Sequence, residues 1–216
     1  YVPPPPDELM ACLGDWEKFL HDRSLPPLVQ AAMMHYQFEA IHPFLDGNGR
    51  VGRLLTTLFL VERNILPTPL LYLSAFFEAT RREYYDRLSA VTARSAWGDW
   101  VEYFLNGVAR MSEDALGRAE RINALMDRWR QSVAGAASRT PSQLVDLLAE
   151  NPYWTINKVA ERLKVAFTTA QRAVAKLEQL GILKQTTDSQ RGRVYCATAI
   201  MDILDEPAKL RPSATE

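Results

Sequence analysis

"IHPFLDGNGRVGR", residues 41–53, brings together a histidine, a carboxylate, glycines at 47, 49 and 52, an asparagine and two arginines. An apolar run, Leu54, Leu55, Leu58, Phe59 and Leu60, follows at once. A tight turn accounts for part of this, because Asp-Gly and Asn-Gly are strong turn dipeptides and Asp46 is a good helix cap. That leaves His42, Arg50 and Arg53 without a purpose. Known phosphate and cation motifs fit only in part. Gly47, Gly49 and Gly52 satisfy GxGxxG, but a helix precedes them where a dinucleotide fold needs a strand. Arg53-Leu54 stands where a P-loop needs Lys-Ser/Thr. Arg50, Val51 and Thr57 occupy positions where a calcium-binding EF-hand loop needs a ligand, a glycine and a bidentate Glu.

The physics behind the phosphate motifs still applies. Gly47, Asn48 and Gly49 at a helix start offer unpaired N–H groups and the positive end of the helix dipole, with little side chain to keep an anion away. Arg50 and Arg53, three apart, share a helix face and aim at the same anion. So many donors suit a polyphosphate. Asp46 suits Mg²⁺, which keeps several waters and bridges phosphate oxygens through one carboxylate. His42, fixed by Pro43 at the edge of the turn, is placed to take a proton from a hydroxyl at neutral pH.

Outward from this stretch the apolar spacing is helical nearly everywhere. "DELMACLGDWEKFLHD" carries a stripe of Leu9, Met10, Leu13, Trp16 and Leu20 after the polyproline lead-in, and "LVQAAMMHYQFEAI" predicts a second helix ending at the His42-Pro43 step. A third helix, from near Gly47 to about Asn64, reads as the central buried one. Further helices are expected over 76–91 and 97–108, then a charged helical stretch to Val133 weakened by Gly107 and Gly117. The first 134 residues thus read as an all-helical domain.

"GAASRTP", residues 135–141, has the composition of a linker. Beyond it come expected helices over 141–150, 156–165 and 168–181, and two strands, "ILKQTT" and "RVYCAT", around the turn "DSQRG". Three helices and a hairpin resemble the winged helix-turn-helix fold, over roughly 141–200, with 201–216 as a tail. The fold class is therefore mainly α, a helical bundle followed by a small winged helix-turn-helix domain.

At 216 residues and 47% hydrophobic, the chain has enough apolar surface for one good core or a core plus a small second domain. A formal charge of −1 excludes a generally basic nucleic-acid coat and an acidic disordered chain. Cys12 and Cys196 lie far apart without a CxxC partner, which points away from a disulfide framework or zinc site. The stretches are too short to span a membrane, so the expectation is a soluble, cytoplasmic protein. The start at Tyr1 in "YVPPPP" reads like the interior of a longer protein.

"HPFLDGNGRVGR" fits the HPFx[DE]GNGRxxR signature and resembles the Fic-domain family, whose typical members transfer AMP from ATP to a hydroxyl side chain of a target protein. The likeness extends to "PPLVQAAMMHYQFEAIHPF", "LYLS", "YYDRL" and "WGDWVEYFLNGV", over most of residues 1–110. The resemblance implies ATP and Mg²⁺ as co-substrate and cofactor. It implies His42 as general base, Asp46 as Mg²⁺ ligand, Gly47, Asn48 and Gly49 as anion hole, and Arg50 and Arg53 on the β- and γ-phosphates. It implies Phe44 as a buried loop anchor, and an adenine pocket toward the following helix, at Tyr85 or, in reserve, Tyr84. His21 and His35 read as structural.

Doc-like kinases resemble the motif but lack Gly-Asn-Gly-Arg, so Gly49 and Arg50 favour adenylyl transfer. Other donors, and reverse removal of AMP, stay open. Many family members carry a regulatory [ST]xxxE[GN] helix; here only "SAFFEA", Ser74–Ala79, comes near, and it ends in Ala and reads as the start of the next helix. The regulatory helix and the flap that positions the target are expected upstream. The expected partner is a protein bearing an acceptor hydroxyl, with a homodimer open. In the winged domain, helix 167–180 would bury Val174, Leu177 and Leu180 and turn Thr168, Arg172 and Lys176 outward, with Arg191 and Arg193 on the wing. Such a surface suits DNA, although solvated faces carry similar charge and such folds also dock proteins, so DNA ranks behind the protein target. The competing function is a DNA-binding regulator whose helical domain senses a nucleotide.

Overall fold

The computed structural model describes residues 2–67, 71–135, 138–187 and 192–208. Its chain is mainly helical: α1 Leu9–His21, α2 Pro27–Ile41, α3 Asn48–Glu62, α4 Leu73–Ala79, α5 Arg81–Arg94, α6 Trp97–Val133, α7 Thr140–Glu150, α8 Ile156–Leu163, α9 Phe167–Gln179 and α10 Thr198–Asp205. Three short strands, β1 Tyr153–Thr155, β2 Lys184–Gln185 and β3 Val194–Cys196, accompany them. By packing, the chain divides into two compact units, Tyr1–Ala115 with Ala208, and Leu116–Pro207. The division falls inside α6, ahead of residue 134 where the change in composition sits.

In the first unit the central helix is α2, where the sequence pointed to α3. Ala31, Ala32, Met34 and His35 of α2 are wholly buried, whereas Leu54 and Leu58 of α3 are about half exposed. The reason lies in the partners of α2: Trp16 of α1 and Trp100 of α6 donate their indole N–H groups to the carbonyls of Met34 and Ala32, at 3.0 and 2.8 Å. Each tryptophan thereby buries a large apolar face without stranding its polar atom. Met10, placed by spacing on the buried stripe of α1, is exposed.

A polar knot closes the base of this bundle. Gln30 donates to the carbonyls of Phe19 and Asp22 at 2.5 and 3.0 Å, and Arg63, just past α3, donates to Leu20, Asp22 and the Gln30 carboxamide. These bonds satisfy the orphan carbonyls at the end of α1 and tie three helices together. Gly107, which spacing reads only as a weak point, is where α6 meets α4: a Cβ there would lie 2.5 Å from the ring of Phe76. Helix α6 nonetheless runs through it unbroken.

"SAFFEA" forms its own helix, α4, rather than the start of α5. Thr80 separates the two; its hydroxyl bonds the Phe76 carbonyl at 2.7 Å and meets the Tyr103 hydroxyl at 2.7 Å.

In the second unit, α7, α8 and α9 pack around Leu144, Val145, Leu148, Val159, Val174 and Leu177, with the end of α6 supplying Met126, Trp129 and Val133. The strands form one antiparallel sheet in the order β1-β3-β2, with Trp154 opposite Tyr195 and Gln185 opposite Tyr195 on the other side. Sequence spacing misses β1, a three-residue strand that exists through its pairing with β3, and misses α10, placed in the tail although Ile200 and Ile203 bury one face. Leu180, expected in the core, is 39% exposed at the C-cap of α9. Arg191 and most of "DSQRG" lie outside the described residues. Among the described residues no helix is long and apolar enough to cross a membrane.

Candidate functional site

The loop between α2 and α3 takes its shape from three backbone decisions. Helix α2 ends at His42, whose φ of 52° is left-handed, because Pro43 disfavours a further helical turn. Gly47 has φ 84° and begins α3, a conformation that costs other residues about 1–2 kcal/mol. Between them Asn48 acts as a clamp: its Oδ1 accepts from the Phe44 N–H at 2.8 Å and its Nδ2 donates to the Phe44 carbonyl at 2.6 Å. Asn48 is buried and Phe44 is half exposed. The expectation that the Phe44 ring anchors the loop is therefore corrected; Asn48 holds Phe44 by its backbone.

That clamp leaves the amide end of α3 pointing outward. The first intrahelical bond runs from Val51 N–H to the Gly47 carbonyl at 3.0 Å, so the N–H groups of Asn48, Gly49 and Arg50 precede the ladder. No side chain caps this end. The Arg50 guanidinium lies within 3.5 Å of where a Gly47 Cβ would be, and Arg53 within 3.0 Å of a Gly49 Cβ. Both cations fold back along the glycine loop. Asp46 is exposed, accepting from Gly47 N–H at 2.7 Å and paired with Arg50 at 3.3 Å. Arg53 is held by a bond from its Nε to the Ser74 hydroxyl at 2.9 Å. Glu78, one turn after Ser74, stands 4.0 Å from Arg81.

Two cavities meet at this loop. One, of about 340 Å³, is polar and is lined by Asp46 to Arg50, Arg53 and α4 residues including Ser74. The other, of about 360 Å³, runs along α5 past Leu88 and Thr92. His42, Gly49, Arg53, Tyr84 and Tyr85 line both. All eight residues picked out from the sequence, His42, Asp46, Gly47, Asn48, Gly49, Arg50, Arg53 and Tyr85, thus fall on these two cavities. Tyr85 is 54% exposed and Tyr84 5%, their rings in an edge contact at 5.2 Å.

Buried polar chemistry lies beneath the loop, around His35, which the sequence reads as structural. His35 is fully buried, stacked on Phe77 and Trp100. The Thr56 hydroxyl donates to the Gly52 carbonyl at 2.8 Å, so toward His35 Nδ1, 3.1 Å away, it must accept. Nδ1 therefore carries the proton, and Nε2 accepts from the Tyr84 hydroxyl at 3.0 Å. Burial pushes the His35 imidazole down to about 4, in line with this neutral form. The same burial pushes the Tyr84 phenol up.

Glu39 is the residue that spacing did not single out. Its Oε1 is buried without a hydrogen-bond partner, in the cavity wall it shares with His42 and Arg53. Burial raises its carboxyl above the usual range while Arg53 and His42 pull it back. Only Gly52 makes room for it: a Cβ there would come within 2.6 Å of Oε1. The available signal was the one carboxylate of α2, one turn before the motif histidine.

Among the described residues no cluster of three or more His, Cys, Asp or Glu would form a metal cage. A single exposed carboxylate beside a helix amide end fits a cation that brings its own waters and shares phosphate oxygens.

Residues 1–60 match a family model described as Fic/DOC family. The chain is 34% identical over 116 residues to protein adenylyltransferase Fic of Nematostella vectensis, covering 52% of this chain and 25% of that protein. It is 35% identical over 121 residues to protein adenylyltransferase fic-1 of Caenorhabditis elegans, covering 55% and 22%. The chain spans about a quarter of the length of these curated relatives. A crystal structure of a Fic family protein from Desulfovibrio desulfuricans G20 aligns with a TM-score of 0.52 at 21% identity, over 91% of this chain and 57% of that one. At that identity the likeness speaks to fold alone.

Proposed function

We propose that the Tyr1–Ala115 unit is a protein adenylyltransferase of the Fic type, moving AMP from ATP to a hydroxyl side chain of a target protein. The observation that carries this reading is the open amide end of α3, with Arg50 and Arg53 folded over its glycines, on a cavity wall shared with His42. The similarity of residues 1–60 to the Fic/DOC family and the adenylyltransferase names of the relatives support it.

In this reading the N–H groups of Asn48, Gly49 and Arg50 receive a phosphate, and Arg50 and Arg53 hold the β- and γ-phosphates. Asp46 would hold Mg²⁺ by one oxygen. Mg²⁺, when bound, neutralises charge on the phosphates. The nucleoside lies in the cavity along α5, against Tyr85. His42 takes the proton of the target hydroxyl, the freed oxygen bonds the α-phosphorus, and the bond to the β-phosphate oxygen breaks, releasing pyrophosphate. The Glu39 carboxylate, one turn before His42, offsets the positive charge that His42 then acquires.

A nucleotide sensor would need the same phosphate donors but no base, and the place of His42 on the shared wall favours transfer. The Leu116–Pro207 unit, with its helix order α7-β1-α8-α9-β2-β3, we assign to the winged helix-turn-helix class. The test is incubation of the chain with Mg²⁺, candidate target proteins and ATP labelled at the α- or the γ-phosphate. Protein label from the α position alone supports the reading. Label from γ alone replaces it with a kinase, and no label from either refutes it for the targets tried.

A further inference from the structure

Away from the loop, the cavity along α5 carries a pair of hydroxyls whose protons are already committed. Tyr36 of α2 and Thr92 of α5 both line it, and their hydroxyl oxygens stand 2.9 Å apart. Thr92 Oγ1 donates to the Leu88 carbonyl at 3.3 Å, and a hydroxyl has one proton to give, so toward Tyr36 it accepts. The Tyr36 proton therefore goes to Thr92. What the Tyr36 oxygen has left is lone-pair density, and the pair presents acceptors to anything else that enters.

Both helices set this pair back from the reacting end. Tyr36 precedes His42 by about 9 Å of helix rise on α2, and Thr92 follows Tyr85 by about 10 Å on α5. His42, Gly49 and Arg53 line the same cavity at its loop end. The separation is on the scale of one nucleoside, reaching from a phosphate at the loop to the outer edge of its base. The Tyr36 ring is fixed by its neighbours: it packs edge-on against Trp97 at 4.9 Å and tilted against Trp100 at 6.4 Å. Arg53, at the loop, is the one Lys, Arg or side-chain amide among the described residues that line the cavity, so hydroxyls alone meet the far edge of a base.

Nucleobases differ in the group they would bring to this pair. Adenine carries an amino donor at C6 and cytosine one at C4, where guanine and uracil carry carbonyl acceptors. An amino group satisfies the Tyr36 oxygen, whereas a carbonyl oxygen faces a lone pair and leaves both without a proton. We propose that Tyr36, its proton held by Thr92, is the specificity-determining residue of the nucleotide site, selecting triphosphates with an amino group at that edge, ATP and CTP, over their keto counterparts. Selection is by the proton and not by base size, so an amino pyrimidine is admitted with an amino purine. The inference rests on the nucleotide-transfer reading of this cavity and adds to it the group that reads the base.

The test is calorimetric titration of the full chain, with Mg²⁺ present, against two pairs of nucleotides: ATP and ITP, amino and keto at the purine C6, and CTP and UTP, amino and keto at the pyrimidine C4. ATP is expected to bind at least about tenfold tighter than ITP, and CTP at least about tenfold tighter than UTP. Tyr36→Phe keeps the ring against Trp97 and removes the acceptor, so both ratios are expected to fall below about threefold, through weaker ATP and CTP while ITP and UTP hold or gain. Thr92→Val frees the Tyr36 proton for a carbonyl and is expected to tighten ITP and UTP relative to ATP and CTP. Tight binding with both ratios near one in the native chain overturns this proposal and leaves the transferase reading standing. Equal weakening of all four nucleotides by Tyr36→Phe, the mark of a merely structural ring, overturns it in the same way. Absence of binding by any of the four overturns this proposal and the nucleotide reading together.

Discussion

The two units spend their polar groups in opposite places. In Tyr1–Ala115 the buried set includes Gln30, His35, Asn48, Thr56 and Thr57, and the Glu39 carboxylate lies inside with an unpartnered oxygen. In Leu116–Pro207 Thr140 is the only polar residue buried to that degree among the described residues, and the charge sits on the surface. Buried polar groups cost stability unless every partner is supplied, so they occur where something other than stability demands them. In the first unit they lie directly under the α2–α3 loop: Asn48 clamps it, and the chain from Tyr84 through His35 and Thr56 to the Gly52 carbonyl fixes α5 and α3 against α2. A dry core needs only shape, whereas a loop that must hold His42 and the α3 amides at one cavity needs directional bonds as well.

This contrast can be broken most severely at His35. His35→Ala should destabilise the first unit by about 3–5 kcal/mol, because it opens a cavity and strands the Tyr84 hydroxyl, while Thr56 keeps its bond to the Gly52 carbonyl. Urea denaturation would read this as a lower midpoint; a loss under about 1 kcal/mol would show that the network is not a structural element.

The pH response sharpens the same point. An imidazole held at about 4 in the folded chain and at its ordinary 6.5 when unfolded leaves stability intact above pH 6.5. As pH falls from 6.5 toward 4 the unfolded state takes up the proton first, and up to about 3 kcal/mol is lost. Midpoints measured across that window should fall in the native chain, and His35→Gln should flatten the His35 share of the slope. The dry core of the second unit supplies no comparable term.

Overpacking tests the apolar part of the first unit. Gly107→Ala would set a methyl against the fully buried Phe76, and a cost of about 1–3 kcal/mol is expected in thermal or urea melts. An unchanged midpoint would mean that α4 can move away from α6 freely. The smallest effect belongs to the second unit: Lys164→Gly relieves a left-handed residue and should gain up to about 1 kcal/mol, less what glycine loses in chain entropy.

The motif loop was legible because its chemistry is local. Residues 42–53 are contiguous, and a helix amide end with two arginines on one face follows from spacing alone. What escaped depends on distant partners. Phe44 turns outward because Asn48 takes its backbone; Leu54 and Leu58 are uncovered because α2 holds the centre. Thr80 ends α4 through Tyr103, and β1 exists through β3. Glu39 and His35 are separated by four residues on α2, yet their roles appear only when Gly52, Thr56 and Tyr84 arrive from two other helices. Periodicity reports which face is apolar; it is silent on a polar atom that finds its partner inside.

The proposed transfer needs one cavity wall to join a polyphosphate cradle to a base. The direct measurement compares Mg-ATP binding by calorimetry with AMP transfer to protein, in the native chain and in His42→Ala. Binding that is retained while transfer falls by at least about 10²-fold is the predicted result. Equal transfer by both chains, or loss of nucleotide binding together with transfer, would contradict the assignment of His42 as the base.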